Sequence, residues 1–209
     1  MLCIKQTQSL TRLSLPNNLI DYDLMKILYR GLMLNKTVTI LDLSHNKIGR
    51  SACTKIALYL YQSKILTHLY LGDNQIHEKG LKCLGDSLKK NRSLKLLDVH
   101  LNRISDKGGQ WFCEALRENN GNFVLEDVNF RGNSLASSFT LALSELLLKT
   151  GLRKIDISCN KIKNKEAQDL KDSLLKNTRQ IIYIDIRNNE LNDRKYLSPQ
   201  TYLRKRFMK

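Results

Sequence analysis

Proline is nearly missing from this chain: Pro16 and Pro199 are the only two in 209 residues. No proline-rich linker can therefore divide it. Long apolar runs are missing too. No stretch of 18 apolar residues occurs, which excludes a membrane-spanning helix. The start, MLCIKQTQSLTRLSL, is too polar for the apolar centre of a secretory signal. These absences predict a cytoplasmic chain with no membrane partner. The five cysteines, Cys3, Cys53, Cys83, Cys113 and Cys159, include no CxxC pair. Zinc-site spacing and thioredoxin-like chemistry are therefore unsupported, and the cysteines read as small, reduced apolar residues. No GxxxxGK[ST], GxGxxG or GxSxG occurs, so no motif points to a phosphate cradle or a hydrolase elbow. Acidic residues are scarce as well, 20 against 35 basic, for a net charge of +15. That excess suits acidic partners: nucleic acid, an anionic surface or an acidic protein.

What is present is a repeat. The segment VTILDLSHNKI (38–48) recurs in frame as LTRLSLPNNLI (10–20), LTHLYLGDNQI (66–76) and LKLLDVHLNRI (94–104). It returns as LEDVNFRGNSL (125–135), LRKIDISCNKI (152–162) and IIYIDIRNNEL (181–191). The pattern is LxxLxLxxNxL. Its asparagines are Asn18, Asn46, Asn74, Asn102, Asn133, Asn160 and Asn189, spaced by 28, 28, 28, 31, 27 and 29 residues. Ten and fourteen residues past each of the first six lie apolar pairs, from Leu28/Leu32 to Leu170/Leu174. A separation of four puts both members on one helix face. Each unit thus reads as strand, turn and helix, and stacking builds a core that no unit could bury alone. The asparagine falls where the chain turns inward. Its amide has two donors and an acceptor for buried loop groups, which aspartate could not supply.

These repeats resemble leucine-rich repeats, and their length is similar to the ribonuclease-inhibitor-like subtype. The resemblance runs from Leu10 to about Leu191. It implies an α/β solenoid of about seven repeats, curved, with a parallel sheet on the concave side and helices on the convex side. Residues 1–193 form that domain on this reading, and 194–209 a basic C-terminal tail or cap, RKYLSPQTYLRKRFMK. NRISDKGG (102–109) is similar to repeats of centrosomal and axonemal proteins, such as the leucine-rich repeat subunit of the nexin–dynein regulatory complex. The resemblance implies a non-enzymatic protein-binding scaffold without a cofactor, a subunit of a large cytoskeletal assembly, ciliary or centrosomal. An acidic surface such as the microtubule lattice would suit its charge. Two alternatives stay open. One is a regulator of a small GTPase, like the Ran GTPase-activating proteins, with Arg131 and Arg187 as contacts. The other is nucleic-acid binding, which rests on charge alone.

Candidate chemistry is sparse. Asp42, Ser44 and His45 carry the side-chain types of a hydrolase triad, but the repeat frame separates them into outward strand and turn positions. His45 and His100 lie two repeats apart, about 10 Å between strands, too far to share a metal. The outward strand column reads Ser14, Asp42, Tyr70, Asp98, Asn129, Asp156, Asp185. Its four aspartates form an acidic stripe suited to a basic partner, unless they are simply solvated strand positions. Tyr70 and Tyr183 face the same side as interface anchors. The expected contact residues are therefore Asp42, Tyr70, Asp98, Asp156, Tyr183 and Asp185.

Overall fold

The computed structural model describes residues 7–118, 124–176 and 183–192. Cys3, Ile4, Arg179 and the tail 194–209 lie outside them. Seven strands occur in these residues: β1 (Arg12–Ser14), β2 (Ile40–Asp42), β3 (His68–Tyr70), β4 (Leu96–Asp98), β5 (Asp127–Asn129), β6 (Lys154–Asp156) and β7 (Tyr183–Asp185). Between successive strands run helices α1 (Tyr22–Leu34), α2 (Arg50–Gln62), α3 (His77–Leu88), α4 (Ser105–Arg117), α5 (Ser137–Leu147) and α6 (Asn164–Lys176). The strands form one parallel sheet in sequence order, and each helix packs on its sequence neighbours. This is the solenoid that the repeat implies.

The middle residue of every strand points into the core. Leu41, Leu69, Leu97, Val128, Ile155 and Ile184 are buried there, against helix residues such as Ile56, Leu84, Phe112 and Leu143. Leu174, on the last helix, is only partly buried. Core aromatics concentrate in the middle units, where Phe112, Phe130 and Phe139 stack edge to face.

The turn after each strand has a fixed backbone. The residue before each repeat asparagine is left-handed: Asn17, His45, Asp73, Leu101, Gly132, Cys159 and Asn188 all have φ between +52° and +68°. That kink carries the following asparagine beneath the strands. Asn74 donates to Leu71 O and Gly72 O in its own unit and to Leu43 O in the unit before, and it accepts from Ile48 N. Asn46, Asn102, Asn133, Asn160 and Asn189 repeat the arrangement. Asn18 differs. It is exposed, and its amide donates to Pro16 O within its own unit.

The NRISDKGG segment is explained by the same logic. Asn102 is a rung of the ladder and Ile104 is core. Asp106 reaches the next unit and caps α5, accepting from Ala136 N, Ser138 N and Phe139 N at 2.8–2.9 Å. A Cβ on Gly108 would meet Glu78 Cα at 2.7 Å. Glycine there lets α4 approach α3.

Candidate functional site

One face of the sheet packs toward the helices, and among the described residues the other, the concave face, has no covering element. The strand register aligns Ser14, Asp42, Tyr70, Asp98, Asn129, Asp156 and Asp185 across all seven strands. Beside them runs a second column, Arg12, Ile40, His68, Leu96, Asp127, Lys154 and Tyr183, which sequence reasoning left out apart from Tyr183. The signal for it was available, because these residues also stand outward in the period-two strand pattern.

The two columns enclose a shallow cavity of about 210 Å³ over β3–β7, lined by Tyr70, Leu96, Asp98, Asp127, Asp156 and Tyr183, with Lys154 and Asn129 among its other walls. Tyr70 and Tyr183 therefore belong to one site. Lys154 Nζ lies 3.5 Å from Asp127 Oδ2, so one ammonium group faces three carboxylates. The cavity is locally negative on a strongly basic chain. Asp42 lies beyond it, on β2.

The aspartates also have a structural task that accounts for their residue type. Each accepts a hydrogen bond from the backbone N–H two residues on: Asp42 from Ser44, Asp98 from His100, Asp156 from Ser158, Asp185 from Arg187. Asn129 does the same for Arg131. Such Asx turns end the strand. In the first unit the residue two positions on is Pro16, which has no N–H, and the slot holds Ser14.

Two expectations need correction. Asp185 was expected to face outward, but it is 1% exposed. Arg187 folds over it, with Nη2 at 2.6 Å and Nε at 3.0 Å, and the Tyr183 hydroxyl donates at 3.0 Å. Burial pushes its pKa up, but the bonds from Arg187 and Tyr183 outweigh burial and hold it below the usual carboxylate value. Arg187, one of the two arginines of the GTPase alternative, is thus committed to this ion pair. Arg131 is exposed.

The second correction concerns the histidines. The His45 and His100 rings are 6.4 Å apart between centroids, much closer than their strands. Gly72 is the cause. The His100 ring occupies the space a side chain there would need, 1.9 Å from where its Cβ would lie. His45 Nδ1 is 2.9 Å from Asp73 Oδ2, and His100 Nδ1 is 2.7 Å from Asp98 Oδ1. The Asp98 bond raises the His100 pKa above the ordinary histidine value against the opposing effect of burial. Among the described residues, no three His, Cys, Asp or Glu side chains converge to hold a metal ion.

The convex side carries much of the positive charge, a good part of it already paired. Lys82 and Lys89 bridge to Asp86, and Lys89 also to Glu118. Lys55, Lys90 and Lys107 lie over the rings of Tyr29, Tyr61 and Trp111 at 5.0–5.9 Å.

Comparison with known proteins fits this architecture. A family model described as Leucine Rich repeat matches residues 34–57, 62–85 and 90–113, three successive units in register. No curated protein is matched. Among solved structures, the chain is similar to Leiomodin-1 Actin-Binding Site 2 (ABS2), at 20% identity and a TM-score of 0.60. The match covers 83% of this chain and 90% of that one. That likeness is one of fold. Among the described residues, seven strands and six intervening helices stack into a single α/β solenoid of the leucine-rich repeat fold.

Proposed function

We propose that the protein is a non-enzymatic scaffold of a cytoskeletal assembly that binds other proteins through its concave face. The observation that carries this reading is the concave cavity, where Tyr70, Leu96 and Tyr183 stand partly exposed among carboxylates on an uncovered sheet. Tyrosine is among the residue types enriched in binding hot spots, and Leu96 adds apolar surface beside the two tyrosines. Asp98 and Asp156 supply the charge at the contact and Asp42 extends it along β2. Asp185 contributes indirectly, by holding Arg187 in place. The cytoskeletal part draws on two supports: the similar solenoid is described as an actin-binding site, and a net charge of +15 suits an acidic lattice.

Co-sedimentation of the full chain with actin filaments and, separately, with microtubules tests this reading. The chain is expected in the pellet with one of the two, and a Tyr70→Ala/Leu96→Ala variant in the supernatant. Absence from both pellets would overturn the cytoskeletal assignment. Undiminished pelleting of the variant would overturn the concave face as the contact.

A further inference from the structure

Where each helix hands over to the next strand, a second polar position recurs at 28-residue spacing: Asn35, Ser63 and Asn91. All three accept from the backbone just downstream. Asn35 takes Thr37 N and Val38 N, Ser63 takes Ile65 N and Leu66 N, and Asn91 takes Ser93 N and Leu94 N. Asn91 also reaches back to the preceding unit, donating to Leu60 O at 2.7 Å and Ser63 O at 3.1 Å. Ser63 has no amide with which to do this. Between the first two units, where that amide would sit, lies a cavity of about 400 Å³. Leu32, Met33 and Ile65 give it an apolar wall, and Tyr59, Lys36 and Lys64 a polar one.

Tyr59 is the unexpected member. Its helix position holds Gly31, Ser87 and Ala115 in the neighbouring units. It is 3% exposed, and its buried hydroxyl makes no well-formed hydrogen bond among the described residues, with only the Ser63 hydroxyl as a polar neighbour. A phenylalanine would supply the same ring without burying an unpaired polar group, which costs stability. Burial raises the phenol pKa, with Ser63 acting in the opposite direction, so at neutral pH the hydroxyl is a proton-bearing donor. Lys36 and Lys64 stand exposed, with no ion-pair partner among the described residues.

We propose that this cavity binds the carboxylate side chain of an acidic peptide segment from a protein partner. The carboxylate takes a hydrogen bond from the Tyr59 hydroxyl inside and charge from Lys36 and Lys64 at the mouth. A glutamate fits this arrangement. Its two methylenes lie against Leu32, Met33 and Ile65, and its head satisfies a buried donor that has no partner among the described residues. The site is separate from the concave face and does not depend on what binds there.

The test is an amide NMR titration of the full chain with three probes: Ac-Leu-Glu-Glu-Leu-NH2, its Gln-Gln counterpart, and glutarate. The Glu peptide is expected to shift Met33, Lys36, Gln62 and Lys64 saturably, and to bind at least about tenfold tighter than the Gln peptide. Tyr59→Phe should weaken binding about fivefold, the worth of one hydrogen bond. Lys36→Met/Lys64→Met should remove most of its salt dependence. Ser63→Asn restores the amide present at Asn35 and Asn91. It should place that amide in the cavity beside Tyr59, block the carboxylate and abolish the shifts while raising the melting temperature, so lost binding cannot be mistaken for lost folding. Equal binding of the two peptides, or binding that survives both Tyr59→Phe and Ser63→Asn, would overturn the site. Glutarate binding as tightly as the Glu peptide would overturn the peptide as its ligand.

Discussion

Replacing Asn102 by aspartate alters the ladder without changing the size of the side chain. Asn102 is fully buried. Its amide donates to Leu71 O at 2.8 Å, Val99 O at 3.1 Å and His100 O at 2.9 Å, and its oxygen accepts from Ile76 N at 3.3 Å. Aspartate keeps the acceptor and loses the donors, so a carboxylate then faces three carbonyl oxygens. None of those carbonyls is orphaned. Leu71 O retains the Asn74 amide, Val99 O the Asn133 amide and His100 O the backbone N–H of Asp73. The lost bonds are therefore worth the lower end of about 0.5–1.5 kcal/mol each. Burying an uncompensated carboxylate adds to them, for about 3–5 kcal/mol at pH 7. The sign of the pH dependence follows. The buried acid has a raised pKa, so the folded state holds a proton that the unfolded state releases above about 3.9. Stability of the variant thus falls as pH rises from there to the raised value, then levels off. Urea unfolding followed by circular dichroism at pH 7 and pH 4.5 measures the effect, with the exposed Asn18→Asp as control. A cost below about 1 kcal/mol, a cost unchanged between the two pH values, or one equal to that of Asn18→Asp would refute the reasoning.

Gly72→Ala should push the His100 ring from its place and break its bond to Asp98. The raised His100 pKa should then fall toward about 6.5, and an unchanged imidazole NMR titration would count against the account. In the unaltered protein, this bond stabilises the fold below that ordinary value, and the contribution is lost as pH rises through the raised one. Burial pushes the Cys53 and Cys113 thiols up, so a thiol reagent should label the half-exposed Cys83 and Cys159 promptly. Cys53 and Cys113 should react only on unfolding, as read by mass spectrometry of the labelled peptides.

Much of the fold could be read in the sequence because each slot is defined by its own residue type. Leu41, Leu69 and Leu97 mark the strands, Ile56, Leu84 and Phe112 the helices, and Asn46, Asn74 and Asn102 the turns. The aligned column of aspartates followed from the same register. The burial of Asp185 did not, because it depends on how the Arg187 side chain folds. The approach of His45 to His100 was hidden for a related reason: the space at Gly72 belongs to the unit between them. The cavity beside Tyr59 becomes legible only by comparing Ser63 with Asn35 and Asn91, once it is known that Asn91 donates backward across the joint.

The shared carbonyls bear on how such a chain can change length. Each carbonyl from Leu43 to Ile157 in the inner slot takes one amide from its own unit and one from the next. At these five rungs the joint is therefore the same joint. Duplicating a whole unit would reproduce its ladder bonds and leave the other rungs in place. Losing a single residue within a unit would shift an asparagine off two carbonyls at once. Growth by copying whole blocks is thus far easier for this architecture than growth by small insertions in its strands and turns.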